Sequence, residues 1–271
     1  MTSDEARAMK AGDPHYTAYV GPPWQYDFMG ATQFRLLCSL GLRAHHTLLD
    51  FGCGSLRAGR LFLPYLEPGN YFGIEPNPHL IDEGFAHELG EDLRRIKQPQ
   101  FAYVEDFTVP FDSEFDFIVA QSIFSHTGED LIARALPNLR AALSPHGLLL
   151  ATFVEGRSDH KGGDWVYPGV VTFRRKTIRR LIREAGLHGT RLPWYHPRQT
   201  WYLMARDPAR LPGALQRRHL RGAVLYDPEF AESRSVLRRL ETRARRLAGR
   251  ILPRSVKNAL KRMLGISQPA A

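Results

Sequence analysis

Residues Leu48 to Gly59 read LLDFGCGSLRAG. An apolar run is followed by an acid, a G-x-G triplet and the opening of a helix. The spacing predicts a short buried strand over His46 to Phe51, a turn at Gly52-Cys53-Gly54 and a helix over about 57–66. The glycines let the backbone approach a ligand with no Cβ in the way, and the helix start presents unpaired N–H groups to a polar end. A second acid, Glu75, ends the next strand (Asn70 to Glu75), 21 residues after Gly54. In a doubly wound sheet an acid there accepts the hydroxyls of a ribose.

The pattern continues outward. Pro76 and Pro78 break the second strand, and a helix is expected over about 78–90. Phe101 to Val104, Phe115 to Gln121 and Leu148 to Val154 read as further strands. A helix runs from Gly128 through Leu143, and Ser144-Pro145-His146-Gly147 reads as a turn. A loop, 155–172, precedes a helix over 174–185 that Gly186 ends. His188 to Tyr195 and Thr200 to Ala205 read as two last strands, joined at His196-Pro197-Arg198. Upstream, 1–30 reads as an aromatic loop interrupted by Pro22-Pro23, and 31–42 as a helix. Alternation of strands and helices at this spacing implies α/β architecture: a Rossmann-like, doubly wound, mostly parallel sheet of seven strands. The expected parts are an N-terminal aromatic cap and first helix (1–45), a central domain (46–206) and a basic helical extension (207–271).

Composition excludes several classes. With 43% hydrophobic and 24% charged residues, the chain suits a buried core rather than disorder or a rod. The longest apolar run, Leu148 to Val154, falls far short of the roughly 20 residues of a membrane span. Met1 to Asp13 is polar with both charge signs, unlike a secretory signal. Cys38 and Cys53 form neither a C-x-x-C pair nor a zinc pattern, and no carboxylate cluster spells a metal site, so no metal is expected. A reducing, cytoplasmic setting follows. The net charge of +9 is uneven: from Arg206 to Ala271 there are 16 Lys+Arg against 5 Asp+Glu, a balance of +11, and the rest balances at −2.

Two cofactors suit a strand, glycine loop, strand and acid. Dinucleotide binders use G-x-G-x-x-G. Here Arg57 holds the third glycine position. The D-x-G-x-G form instead resembles motif I of the class I S-adenosylmethionine-dependent methyltransferases. Glu75 resembles the family's ribose ligand, and Glu105-Asp106-Phe107 the adenine segment after the third strand. FDFIVAQSIFSHT (115–127) and SPHGLLLATF (144–153) resemble its fourth and fifth strands. The resemblance implies S-adenosyl-L-methionine as cofactor, with Asp50 facing its amino-acid end and Gly52, Cys53 and Gly54 around the methionine and ribose. It further implies Asp106 and Phe107 at the adenine, and Gln121 and Ser122 beside the methionine moiety. WQYDFMGATQF (24–34) supplies Tyr26 and Gln33 to a lid over the cofactor, or else is a strap pinned by aromatic packing.

Methyl transfer to an alcohol benefits from a base. The candidates are His126, at the carboxyl edge of the fourth strand, and His160, with Asp159 to orient it; His196, at a turn before proline, reads as structural. AQSIF lacks the N/D-P-P-Y/F signature of base-amino methyltransferases. Trp165, Tyr167, Trp194, Tyr195 and Trp201 suit either a stacking wall or core packing. The expected activity is O-methylation of a glycan or small-molecule metabolite. A non-catalytic, cofactor-binding membrane adaptor and an NAD-dependent oxidoreductase are the alternatives. In the extension, Leu237, Leu240, Ala244, Leu247 and Ile251 share one helical face and arginines the rest. Such a helix suits peripheral contact with an anionic membrane, docking on the protein's own body or a second copy, and least of all a nucleic acid.

Overall fold

The computed structural model describes residues 3–220; the basic extension beyond them lies outside the described residues. Short helices α1 (Ser3–Ala8) and α2 (Tyr16–Tyr19) precede α3 (Tyr26–Ser39). Then follow β1 (Leu48–Phe51), α4 (Gly59–Tyr65), β2 (Tyr71–Ile74), α5 (Pro78–Gly84), α6 (Glu91–Lys97) and β3 (Gln100–Ala102). The second half comprises β4 (Phe115–Ala120), α7 (Glu129–Ala142), β5 (Leu143–Phe153), α8 (Arg175–Glu184), β6 (His188–Arg191), β7 (Thr200–Ala205) and α9 (Ala214–His219). The sheet order is β3-β2-β1-β4-β5-β7-β6. Pairs from β3 to β5 are parallel, and β7 runs antiparallel to both neighbours.

All four residues of β1 are buried, as expected of a parallel strand covered on both faces. Leu49, Ile118, Leu149 and Met204 pack with α7 and α8 through Ile132, Leu136, Leu139, Ile178 and Leu181. Leu48, Val119, Leu150 and Leu203 pack with α3 and α4 through Leu36, Leu37, Phe62 and Leu63. Helix α8 shows the amphipathic rule: Ile178, Leu181 and Ile182 are buried while Arg175, Lys176, Arg179 and Arg183 are exposed.

Three expectations need correction. The N-terminal stretch is helical in part, and α3 begins at Tyr26, before the expected 31. As expected, no helix runs through Pro22-Pro23: α2 ends at Tyr19, and Pro23 starts the 3-10 turn Pro23–Gln25 that leads into α3, because the first turn has no use for the missing N–H. Ser144–Gly147 lies within β5 rather than ending a helix-to-strand turn: Phe115 pairs with Leu143 and Phe117 with Leu148, so the extra residues are absorbed as an irregularity in the ladder. Strand β6 stops at Arg191, short of Tyr195, with Pro193 just beyond. Proline has no N–H to give a ladder.

Candidate functional site

The glycine turn follows β1. Gly52 and Gly54 hold φ of +78° and +54°, a region that side chains with a Cβ avoid. A Cβ on Gly52 would lie 2.1 Å from Ile123 Cδ1, and one on Gly54 2.5 Å from Val20 Cγ1. Glu75 leaves the end of β2 and ties this turn to the next. Its Oε2 accepts the Gly54 N–H (3.0 Å) and its Oε1 the Asn77 N–H (3.1 Å). Asp50 is buried and accepts the Tyr71 hydroxyl at 2.9 Å. Burial pushes its carboxyl up to about 7, against the opposing hydrogen bond. Glu75 is raised for the same reason.

Beyond β4 the polar groups are differently placed. Ser122, at φ +62°, donates its N–H to Thr152 Oγ1 (2.7 Å), and its hydroxyl accepts from Gln199 Nε2 (2.9 Å). Gln121 is buried, and both its amide atoms lack a hydrogen-bond partner among the described residues. Pairing of Asp50 with Val119, Ala120 with Ala151 and Thr152 with Trp201 sets the register. Side-chain alternation then puts Asp50, Gln121, Thr152 and Trp201 on one face, across four adjacent strands, under α3 and α4.

Residues 49–149 match the family model described as a methyltransferase domain. The fold agrees with solved structures at low identity. An S-adenosylmethionine-dependent methyltransferase from Clostridium acetobutylicum is 13% identical with a TM-score of 0.50, over 66% of this chain and 92% of that one. The glycopeptide N-methyltransferase MtfA, complexed with S-adenosylmethionine, is 11% identical with a TM-score of 0.52, over 66% and 94%. Magnesium protoporphyrin IX methyltransferase from Synechocystis, with bound S-adenosylhomocysteine, is 12% identical with a TM-score of 0.50, over 68% and 86%. Among curated proteins nothing matches.

Within this fold the expected residues fall into two groups. Asp50, Gly52, Cys53, Gly54 and Glu75 gather at the carboxyl ends of β1 and β2, and Gln121 and Ser122 at that of β4. Cys53 is buried, and burial pushes its thiol well up, which suits packing. Asp106 is exposed and forms a local turn, its Oδ1 accepting the N–H and hydroxyl of Thr108. These bonds hold its carboxyl below the usual range. Phe107, at φ +64°, packs 6.1 Å from Phe51 and 6.5 Å from Trp165, ring to ring. Tyr26 and Gln33 are buried on α3, and the Tyr26 hydroxyl donates to the Ser55 carbonyl at 2.9 Å. These contacts pin the strap to the loop below.

The histidines differ. His126 donates from Nδ1 to the Gly169 carbonyl, which leaves Nε2 with a free lone pair. Burial lowers its pKa, and Tyr167 and Trp165 pack against its ring, centroids at 4.9 and 5.8 Å. Asp159 does not orient His160 as expected. Its carboxylate instead accepts the Arg174 N–H at 2.7 Å and faces that residue's guanidinium, capping the approach to α8. The aromatic wall also splits: Trp194 and Trp201 are buried in the core, whereas Trp165 is 46% exposed.

Several contacts escaped the sequence reading. Arg57 donates to the Val20 carbonyl at 2.6 Å, and burial lowers its pKa to about 10. The Tyr167 hydroxyl donates to the Tyr19 carbonyl, so the N-terminal strap and the β5–α8 loop meet over the glycine turn. Arg198 donates to Gln25 Oε1 at 2.8 Å. The density of YHPRQTW in polar and aromatic residues was the signal for this last connection. Among the described residues, no His, Cys, Asp and Glu group of three or more is arranged for a metal ion, and no helix is long and apolar enough to cross a membrane.

Proposed function

We propose that this methyltransferase moves the methyl group of S-adenosylmethionine onto an oxygen of a glycan or small-molecule acceptor. The observation that carries the cofactor reading is the pair of carboxyl groups, Asp50 and Glu75, flanking a glycine turn. Glu75 suits the ribose of either cofactor; Asp50, in its ionised form, sets like charge against a pyrophosphate and opposite charge against a sulfonium and an ammonium. This weighs against a nicotinamide dinucleotide. Glu75 keeps acceptor capacity for ribose hydroxyls beyond its two backbone bonds. Gly52, Cys53 and Gly54 offer a backbone cradle that a Cβ would fill, and the Gln121 amide offers a donor and an acceptor to the methionine end. Bound there, the cofactor supplies a methyl carbon already activated by its sulfonium. The chain supplies orientation and exclusion of water, through Tyr19, Val20 and Tyr167 above the turn.

Two oxygen acceptors make different demands. A hydroxyl must lose a proton, and His126, neutral with Nε2 unprotonated, is the residue that would take it. A carboxylate has none to lose. In the extension, the basic excess suits an anionic membrane, and sedimentation with anionic vesicles that is lost at raised salt would support that contact. The cofactor reading is tested by calorimetric titration with S-adenosylhomocysteine, with NAD as control. Micromolar binding of the former alone, lost in Glu75→Ala, is expected. Binding of NAD alone, or of neither, would overturn it.

A further inference from the structure

The connection between β6 and β7 carries buried donors that the fold itself does not use. His196 Nδ1 accepts the backbone N–H groups of Arg198 (3.2 Å) and Gln199 (2.9 Å). An acceptor nitrogen cannot carry the ring proton, so the proton sits on Nε2. That Nε2–H is buried and has no acceptor among the described residues. Beside it, ring centroids 6.3 Å apart, lies Trp201, fully buried, whose Nε1–H also lacks an acceptor. Indole nitrogen is a donor only. Two buried N–H groups on neighbouring rings, unpaired among the described residues, call for an acceptor from beyond those residues.

The surroundings define its charge. Burial, with Arg198 and Arg57 adding to it electrostatically, lowers the His196 pKa and keeps its imidazole neutral. The connection therefore presents these two donors with two arginines bearing on them, beside one acceptor unpaired among the described residues, Gln199 Oε1. It also adjoins the β4 edge: Gln199, in the same connection, is bonded to Ser122, and Trp201 pairs with Thr152 on the strand next to β4.

We propose that Trp201 Nε1–H and His196 Nε2–H hold the carboxylate of the acceptor, which makes the product a methyl ester. This rests on the methyl-transfer reading above. One carboxylate oxygen forms the new C–O bond with its own lone pair. The C–S bond breaks with its pair going to sulfur, leaving a neutral thioether. No proton is released, so no base is required, and His126 serves as wall rather than base.

The test uses the full chain saturated with S-adenosylhomocysteine, whose binding is measured first. Nitrogen-labelled protein gives one indole N–H signal for each of its four tryptophans, and Trp201→Phe identifies the relevant one. Should that variant fail to fold, single Phe replacements of Trp24, Trp165 and Trp194 assign it by elimination. Sodium acetate is the probe, with acetamide and sodium chloride as matched controls. Acetate is expected to shift the Trp201 signal saturably, and the controls are not. In His196→Asn, whose Oδ1 replaces Nδ1 as acceptor of the two backbone N–H groups, the acetate Kd should rise roughly tenfold or more. Affinity for S-adenosylhomocysteine should stay unchanged. A signal indifferent to acetate, or equally moved by acetamide, overturns the proposal. So does a His196→Asn variant that loses S-adenosylhomocysteine and keeps acetate, because the donors would then serve the cofactor. Failure of the wild type to bind S-adenosylhomocysteine breaks the underlying reading, and the proposal falls with it.

Discussion

The two halves of the sheet's carboxyl edge handle polar groups in opposite ways. Around β1 and β2 they are paired with one another: Glu75 with the Gly54 and Asn77 N–H groups, Asp50 with Tyr71. Around β4, β5 and β7 Ser122 is paired with Thr152 and Gln199, but the Gln121 amide, the Trp201 indole and the His196 Nε2–H stand buried without partners among the described residues. A buried polar group that finds no partner costs about 1–3 kcal/mol. The first half is thus set within the fold, and the second, on the proposal above, is completed by a ligand. Substitution should therefore cost stability in the first half and binding alone in the second.

The largest expected effect is proton linkage at Asp50. An aspartate titrates near 3.9 when unfolded and at about 7 here. Between those values the unfolded chain releases a proton that the folded one keeps, so stability falls as pH rises. The fall is on the order of 4 kcal/mol and levels off above pH 7. Urea unfolding across pH 4–8 should show this fall in the wild type and a flatter profile in Asp50→Asn. Parallel profiles would remove Asp50 from the pre-set half.

Glu75→Ala comes next. Loss of a charged acceptor from ribose and turn together should weaken S-adenosylhomocysteine by about 100-fold, read by calorimetry. Gly52→Ala forces a Cβ into Ile123 at a positive φ. It should lower the unfolding free energy by about 2 kcal/mol, seen as an earlier urea midpoint at unchanged slope. The smallest effect is at Gln121→Met. Removing an amide with no partner should leave the stability of the ligand-free protein within about 1 kcal/mol of wild type, or raise it. A large loss there would show that the second half is pre-set as well, and the comparison would collapse.

The same division governs what the sequence discloses. The first half is written contiguously: strand, Asp50, glycine turn and Glu75 follow within one βα unit, and periodicity and turn chemistry carry them. The second half gathers Gln25, Arg57, Gln121, His196 and Trp201 from distant segments, so no spacing announces it. His196 looks like a turn residue because its Nδ1 is one; the free Nε2–H exists only once the connection is folded. The start of α3 was hidden for a local reason, since a proline pair reads as interruption until one knows that it begins a turn. Asp159 adjoins His160 in sequence, yet the chain aims its carboxylate at Arg174.

Because β7 alone runs against its neighbours, its first residues and the preceding connection, 192–199, reach the edge where the parallel strands end. Insertions or replacements there reshape one compartment while the β1–β2 loops keep their register. Changes of side chain there therefore alter one part of the carboxyl edge, through a single hairpin, and leave the glycine turn and Glu75 as they are.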